Sequence, residues 1–107
     1  MTITIYGIKT CDTCRKALKT LPDAVLRDIR TEPLTEAERT EFISAFGDEI
    51  INRSSTTWRA MDDSARNAPV DTLLAAHPTV MKRPIIRAGD ALFLGWKADV
   101  QRALGGA

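Results

Sequence analysis

Residues 10–16 read TCDTCRK, and they follow a short apolar strand and open an amphipathic helix. Both cysteines of the chain, Cys11 and Cys14, lie in this stretch. A thiol at the start of a helix lies beside unpaired backbone N–H groups and the positive end of the helix dipole, which favour the thiolate. The second sulfur is close enough to attack an adduct on the first. The spacing predicts a redox pair, with half of a zinc site or two buried structural cysteines as alternatives.

The residues around this stretch predict a strand, a helix and a second strand. Residues 2–6 alternate polar and apolar, which is typical of a strand with Ile3 and Ile5 on one face. Residues 14–21 place apolar side chains at i, i+3, i+4 and i+7, the pattern of a helix with one buried face. Residues 24–29 predict a second strand, parallel to the first because a helix connects the two.

The middle of the chain has a different pattern, in which helices and loops follow one another. Thr35 and Glu38 have the spacing of a capping box, which predicts that a helix begins after Thr35. Between about residues 34 and 77 the sequence contains no convincing strand pattern. We therefore expect a helical insertion there.

The last part of the chain predicts a hairpin and a closing helix. Residues 84–88 and 91–95 are apolar strands on either side of a Gly-Asp turn, and residues 97–104 are amphipathic. The order of the predicted strands and helices along the chain, βαβ…ββα, indicates an α/β, thioredoxin-like fold with a four-stranded mixed sheet. We expect a single domain over residues 1–107, with a frayed tail at residues 105–107.

Composition narrows the possible classes of function. The chain has 107 residues, 44% of them hydrophobic, with a net charge of +1 from 15 basic and 14 acidic residues. A charge this close to balance gives no general attraction to nucleic acid or membrane, so we expect neither as a partner. The N-terminus lacks the pattern of a secretion signal, and no run approaches the roughly 20 apolar residues of a membrane span. We therefore expect a cytoplasmic protein.

The order of the two cysteines suggests their roles. Cys11 lies in the loop before the helix and is the expected nucleophile, whereas Cys14 lies about one turn inside the helix and is the expected resolving thiol. Arg15 and two neighbouring lysines favour the thiolate by their charge. We expect no metal site, because His77 is the only histidine and no second cysteine pair completes a tetrahedral zinc site.

Arg83 and Pro84 form the second informative position. A proline that opens a strand cannot donate to the sheet at that point, and an X-Pro bond is one that can adopt the cis form at low cost. In a thioredoxin-like sheet the loop before the third strand faces the cysteine loop, which would bring Lys82 and Arg83 close to Cys11. A guanidinium there would lower the thiol pKa and grip an oxyanion. The alternative is that Lys82 and Arg83 are ordinary surface charges.

A polar loop at residues 52–57 is a further candidate for anion binding. It contains hydroxyl groups, an amide and the guanidinium of Arg53. Without other support, such a loop is more often a turn that caps a helix than a ligand site. Both readings stay open at this point.

Three motifs, in order and with matching gaps, resemble one known family. They read YGIKTCDTCRKA at residues 6–17, RSSTTWR at residues 53–59, and HP followed by KRPII within residues 77–86. Together they resemble the arsenate reductase (ArsC)/Spx/YffB family over nearly the full length of the chain. Within that family, the greatest similarity is to the YffB-like thiol reductases.

The resemblance implies a thioredoxin-like fold with a helical insertion, a catalytic cysteine at Cys11 and an arginine before a cis-proline at Arg83. In the arsenate reductase branch, three arginines bind the arsenate that the cysteine attacks, and glutathione with glutaredoxin completes the reduction. Here Arg53 matches the second arginine only approximately, because Asn52 occupies the aligned position. The third arginine is replaced near residues 96–97. The resemblance therefore implies a reduced arginine set.

These observations lead to the expected function, a thiol-dependent oxidoreductase, glutathione-linked, acting on a small thiol or oxyanion substrate. We expect no bound cofactor, glutathione as reductant or co-substrate, and glutaredoxin or thioredoxin as a partner. The alternative is an Spx-like redox-switched regulator that binds the RNA polymerase alpha subunit, and a third reading is a structural domain whose cysteine pair is incidental. The expected site has two catalytic thiols, Cys11 and Cys14, and four anion- or substrate-binding residues: Arg83, Arg53, Arg15 and Pro84.

Overall fold

The structure, a computed structural model, describes residues 2–104. They form two units, one from the residues up to Glu32 together with those from Arg83 onward, and one from Pro33–Lys82. The single domain over residues 1–107 stays a prediction. The frayed tail expected at residues 105–107 lies outside the described residues.

The order of the elements confirms the α/β, thioredoxin-like fold with a helical insertion. Two strands enclose the first helix, short helices fill the middle of the chain, and a hairpin precedes the last helix. None of the helices within residues 2–104 combines the length and the apolar character that crossing a bilayer requires. In chain order the elements are β1 (Ile3–Gly7), α1 (Asp12–Thr20), β2 (Val25–Asp28), α2 (Glu36–Phe46), a 3₁₀ helix (Gly47–Ile50), α3 (Thr56–Ala60), α4 (Asp63–Arg66), α5 (Val70–Ala76), a second 3₁₀ helix (Pro78–Val80), β3 (Ile85–Ala88), β4 (Ala91–Leu94) and α6 (Ala98–Ala103).

The first unit contains the predicted four-stranded mixed sheet, and its strand order is β2-β1-β3-β4. β1 pairs in parallel with β2, with Gly7 opposite Asp28. β3 is antiparallel to β1 and forms a hairpin with β4, whose turn contains Gly89 at a φ of 61°. The ends of β1 and β2 and the start of β3 therefore share one edge of the sheet. The cysteine loop follows β1 and Arg83 precedes β3, so this edge positions both.

One face of this sheet packs against α1 and α6. Ile5 of β1, Ala17 of α1, Ile86 of β3 and Val100 of α6 form a buried cluster, and the partly buried side chains around it include Trp96. Burial of a large aliphatic side chain contributes about 1.5–3 kcal/mol, so this cluster fixes α1 on the sheet. The N-terminus of α1 is thereby held at the edge where the cysteine loop lies.

The second unit begins with the predicted capping box. The Glu38 N–H donates to Thr35 Oγ1 at 3.1 Å, and the Thr35 N–H donates to Glu38 Oε1 at 2.8 Å, which starts α2 after Thr35. Arg39 donates to Asp71 at 2.8 Å and so joins α2 to α5. A single β-bridge between Ile51 and Met81 is the only strand-like pairing outside the sheet among the described residues. The buried residues of this unit are Phe42, Ile50, Ile51, Leu73, Leu74, Val80 and Met81.

Candidate active site

Cys11 occupies the N-cap position of α1, with an extended backbone (φ −78°, ψ 123°). Its N–H donates to the carbonyl of Ile8 at 3.0 Å, and its own carbonyl accepts the N–H of Arg15 at 3.0 Å. The thiol is half-buried. It lies at the end of the helix where backbone N–H groups have no helical partners, an arrangement that stabilises an anion on the cap residue.

Cys14 lies one turn further along α1, with its side chain 0% exposed. Its sulfur packs against β1 at Gly7, where an added Cβ would overlap Cys14 Sγ and lie 3.2 Å from Cys14 Cβ. Only glycine leaves room for the sulfur at this point of the strand. Gly7 thus determines how closely α1 and its second thiol approach β1.

The surroundings of Cys11 lower the pKa of its thiol. Partial burial opposes ionisation, but the N–H and the S–H of Cys14 both donate to the Cys11 sulfur. The guanidinium of Arg83 adds a hydrogen bond and a positive charge, and together these contacts outweigh the burial. Cys11 therefore ionises more readily than an ordinary thiol and is the better nucleophile of the pair at neutral pH.

The same surroundings act in the opposite direction on Cys14. The pKa of Cys14 is raised to about 12, chiefly by burial. A backbone hydrogen bond with Ile8 opposes this effect, the hydrogen bond and negative charge of Cys11 add to it, and the charge of Arg83 opposes it weakly. Cys14 therefore stays protonated while Cys11 is a thiolate. Both are free thiols in this structure, so the pair is in its reduced form.

Arg83 and Pro84 lie at the start of β3, next to the N-terminus of α1. Their peptide bond is cis, and the side chain of Pro84 is fully buried. The Pro84 carbonyl accepts the N–H of Gly95 at 2.8 Å, which ties the start of β3 to the end of β4. The strand position predicts Arg83 beside Cys11, and the structure places it there. An anion-binding role for Arg83 or Pro84 stays a prediction.

The remaining predicted site residues have other surroundings. Arg15 is exposed on α1, and its backbone N–H contacts Cys11. Arg53 belongs to the second unit, where its guanidinium lies 5.4 Å from the ring centroid of Trp58. Lys82 is exposed in the same unit and donates its N–H to the carbonyl of Ile50 at 2.7 Å. The structure therefore groups Cys11, Cys14 and Arg83, and roles for Arg15 and Arg53 in binding a substrate stay predictions.

Asp28 is a site residue that the sequence reasoning missed. It ends β2, and its Oδ2 accepts the N–H of Lys9 in the cysteine loop at 3.1 Å while its Oδ1 accepts the N–H of Arg30 at 2.9 Å. Burial raises the pKa of Asp28, but the hydrogen bonds from these N–H groups and the charge of Arg30 together outweigh it, so the pKa lies below its usual value. The sequence could have indicated Asp28, because it ends the strand that is parallel to β1, and residues at the ends of neighbouring parallel strands meet at one edge of the sheet.

The arrangement is suited to thiol chemistry. A half-buried, easily ionised sulfur lies beside a buried protonated sulfur and a guanidinium, so an electrophilic sulfur or oxyanion could be attacked by Cys11 and then released by Cys14. Among the described residues, no group of three or more His, Cys, Asp or Glu side chains is arranged to hold a metal ion. The geometry therefore offers a nucleophile, a second thiol and one cation.

Two relatives are similar to this chain over most of its length. The chain is 41% identical to an uncharacterized protein of Haemophilus influenzae over 94% of this chain and 96% of the relative. It is also 29% identical to the global transcriptional regulator Spx of Bacillus subtilis, over 91% of this chain and 82% of the relative.

Solved structures show the same fold. A YffB protein superposes with a TM-score of 0.85 at 26% identity, covering 94% of this chain and 96% of that chain. An arsenate reductase (ArsC) related protein from Brucella melitensis has a TM-score of 0.75 at 31% identity, covering 96% and 93%. The model of the ArsC family matches residues 6–104, which include both cysteines and Arg83. The chain therefore belongs to the ArsC family, together with relatives of the Spx and YffB type.

Proposed function

We propose that the protein is a cytoplasmic, thiol-dependent oxidoreductase that uses glutathione, with Cys11 as nucleophile and Cys14 as resolving thiol. The observation that supports this most directly is the contact of Cys11 with both Cys14 and Arg83, which lowers the pKa of Cys11. Membership of the ArsC family supports the class of reaction. Glutaredoxin or thioredoxin is a proposed partner in the return step.

The proposed reaction begins on a disulfide or a glutathione adduct. The Cys11 thiolate attacks one sulfur, a bond forms between Cys11 and that sulfur, and the other sulfur leaves as a thiolate that takes up a proton. Cys14 then loses its proton and attacks Cys11 Sγ, which forms the Cys11–Cys14 disulfide and releases the second thiol. Two electrons pass from the protein to the substrate, and two molecules of glutathione return them and leave as glutathione disulfide.

The formation of the adduct would itself activate Cys14. While Cys11 is a thiolate, its charge and its hydrogen bond help to hold the Cys14 pKa high. Once Cys11 is bonded to a substrate sulfur, that charge is gone, and the cost of burial is opposed by the contributions of Ile8 and Arg83. We therefore expect Cys14 to become a better nucleophile at the step where the proposed mechanism needs it.

Glutathione-coupled turnover tests the proposal, with hydroxyethyl disulfide, a glutathionylated protein and arsenate assayed in parallel. We expect Cys11→Ser to abolish turnover, and Cys14→Ser to accumulate a mixed disulfide with glutathione that intact-mass spectrometry detects. Lys19→Gln, at the exposed far end of α1, is the matched control and should turn over normally. Equal and small effects of the two cysteine substitutions would contradict the division of roles.

A second candidate function is a redox-switched regulator that binds the RNA polymerase alpha subunit. The observation that favours it is the similarity to Spx proteins over 91% of the chain. Binding of purified alpha subunit to the reduced and the oxidised protein tests it. Redox-dependent binding without turnover in the coupled assays would favour the regulator over the enzyme.

A further inference from the structure

Arg30 lies beside the cysteine loop without touching the thiols. It follows β2 by two residues, and its Nη2 donates to Thr10 Oγ1 at 3.4 Å. Thr10 immediately precedes Cys11 in the chain. The Arg30 side chain remains 48% exposed, so it is open to solvent beside the residue that precedes Cys11.

Asp28 holds Arg30 and the cysteine loop in place together. Its Oδ1 accepts the Arg30 N–H at 2.9 Å and lies 3.9 Å from Arg30 Nε, while its Oδ2 accepts the Lys9 N–H at 3.1 Å. The Asp28 side chain is only 12% exposed. The carboxylate is thus turned into the protein and the guanidinium outward, so an approaching molecule meets the positive member of the pair first.

The sequence around Cys11 adds to this positive character. Lys9, Arg15 and Lys16 are exposed on the same stretch, where Asp12 is the one acidic side chain. Three cations and one anion thus surround Cys11 in the sequence, and charges act through solvent over about 8–10 Å at moderate ionic strength. An anionic reactant gains from this field, whereas a neutral one does not.

We propose that Arg30 is a specificity-determining residue that binds a carboxylate of the molecule attacked by Cys11. The preferred substrates are accordingly disulfides that carry carboxylates close to the reacting sulfur, and neutral disulfides react without this contribution. The proposal rests on the proposed thiol chemistry of Cys11. It assigns separate tasks to two arginines, because Arg83 contacts the thiol and Arg30 contacts the residue before it.

Two small disulfide probes test the proposal on the intact chain. Dithiobis(nitrobenzoate) carries carboxylates and dithiodipyridine is neutral, and the rate of the first reaction of Cys11 with each is measured by absorbance. We expect Arg30→Gln to slow the reaction with the carboxylate probe by about fivefold and to leave the neutral probe unchanged, as suits an exposed charge contact. Added salt should reduce the difference.

Matched variants keep the result interpretable. Arg30→Lys retains the charge and should keep the carboxylate rate within about twofold of the unsubstituted protein. Arg102→Gln, on the exposed side of α6, should change neither rate. The pH dependence of the neutral probe should be the same in Arg30→Gln as in the unsubstituted protein, because Arg83 and Cys14, not Arg30, contact the Cys11 sulfur.

The outcomes separate this proposal from the proposed function. If the neutral probe reacts fast, but the ratio of the carboxylate rate to the neutral rate is the same in Arg30→Gln as in the unsubstituted protein, only the role of Arg30 is overturned. A shifted pH profile in that variant would also overturn it, since Arg30 would then act on the thiol and not on the substrate. A neutral probe that reacts no faster than with free cysteine would overturn both the thiol chemistry and the role of Arg30.

Discussion

Replacing Gly7 with alanine places a methyl group in the space that the sulfur of Cys14 occupies. A Cβ at this position would overlap Cys14 Sγ, lie 3.2 Å from Cys14 Cβ and lie 3.9 Å from Leu26 Cδ1. The main obstacle is therefore a single side chain, which is itself 0% exposed and cannot turn into solvent. The substitution tests whether the second thiol is held directly against β1.

The expected magnitude follows from two opposing effects. Gly7 is not at a positive φ, so alanine would ordinarily stabilise the protein by about 0.4–1 kcal/mol through the unfolded state. Overpacking of a buried site costs about 1–3 kcal/mol. We expect Gly7→Ala to lower the free energy of unfolding by about 1–2 kcal/mol, because a full overlap outweighs the backbone gain. Alanine is therefore expected to destabilise the protein here, whereas at an ordinary strand glycine it would stabilise it.

A double-mutant cycle with Cys14→Ala identifies the cause. Without the sulfur, the nearest contact of the new methyl group is the Cβ at 3.2 Å, so Gly7→Ala should cost less than about 0.5 kcal/mol in that background. The assay is urea unfolding of the four proteins in excess reductant, so that every thiol stays free. The reasoning is refuted if Gly7→Ala is as stable as the unsubstituted protein. It is also refuted if Gly7→Ala lowers the unfolding free energy by the same amount with and without the Cys14 sulfur.

Three further predictions concern the thiols and α2. Arg83→Gln should raise the pKa of Cys11 because it removes a hydrogen bond and a positive charge, as measured by the pH dependence of alkylation; an unchanged profile would contradict the contact, and Arg102→Gln is the control. Because burial raises the pKa of Cys14 from 9.0 to about 12, its contribution to stability is complete below pH 9.0 and declines as the pH rises toward 12. The decline is at most about 1.4 kcal/mol per pH unit. It is measured as the difference in unfolding free energy between the unsubstituted protein and Cys14→Ala at a series of pH values, and a difference that does not change with pH would count against the prediction. Thr35→Ala should cost about 1 kcal/mol in urea unfolding, whereas Thr35→Ser should retain most of the stability, and equal losses would exclude the capping bond as the cause.

Local patterns were sufficient to predict most of the secondary structure. The alternation around Ile5, the turn at Gly89 and the capping box at Thr35 each depend on residues only a few positions apart. The parallel pairing of β1 with β2 followed from the short helical connection between them, and the antiparallel pairing of β3 with β4 followed from the turn of the hairpin, whereas the pairing of β1 with β3 joins distant residues. The local features are encoded where they occur, so a single sequence reveals them.

The site was predicted less completely, because parts of it depend on strand register and on contact between distant residues. Arg83 could be placed next to Cys11 from the shared sheet edge. The bond from Lys9 to Asp28 joins residues 19 positions apart and exists only because β1 and β2 pair in one register. The closeness of Gly7 to Cys14 likewise depends on how near α1 packs to the sheet, which periodicity does not specify.

The roles of the loop arginines could not be read from composition either. Arg53 belongs to a stretch with the hydroxyl and amide groups of an anion site, yet its guanidinium lies near the Trp58 ring, with Arg66 at 5.5 Å from the same ring. A guanidinium stacks on an aromatic face as readily as it grips an anion. The residue types alone do not distinguish the two uses.

The burial of Cys14 also bears on how an oxidised pair would be reduced again. An incoming thiol can reach Cys11, but attack there must expel the Cys14 thiolate, whose burial disfavours the charged form and still raises its pKa after the negative charge of Cys11 is gone, which makes it a poor leaving group. Attack on Cys14 would expel the better leaving group, yet that sulfur is 0% exposed. The accessible sulfur and the chemically favoured sulfur are therefore different atoms. We therefore expect such a disulfide to be reduced slowly by a weak reductant unless the start of α1 opens and exposes the sulfur of Cys14.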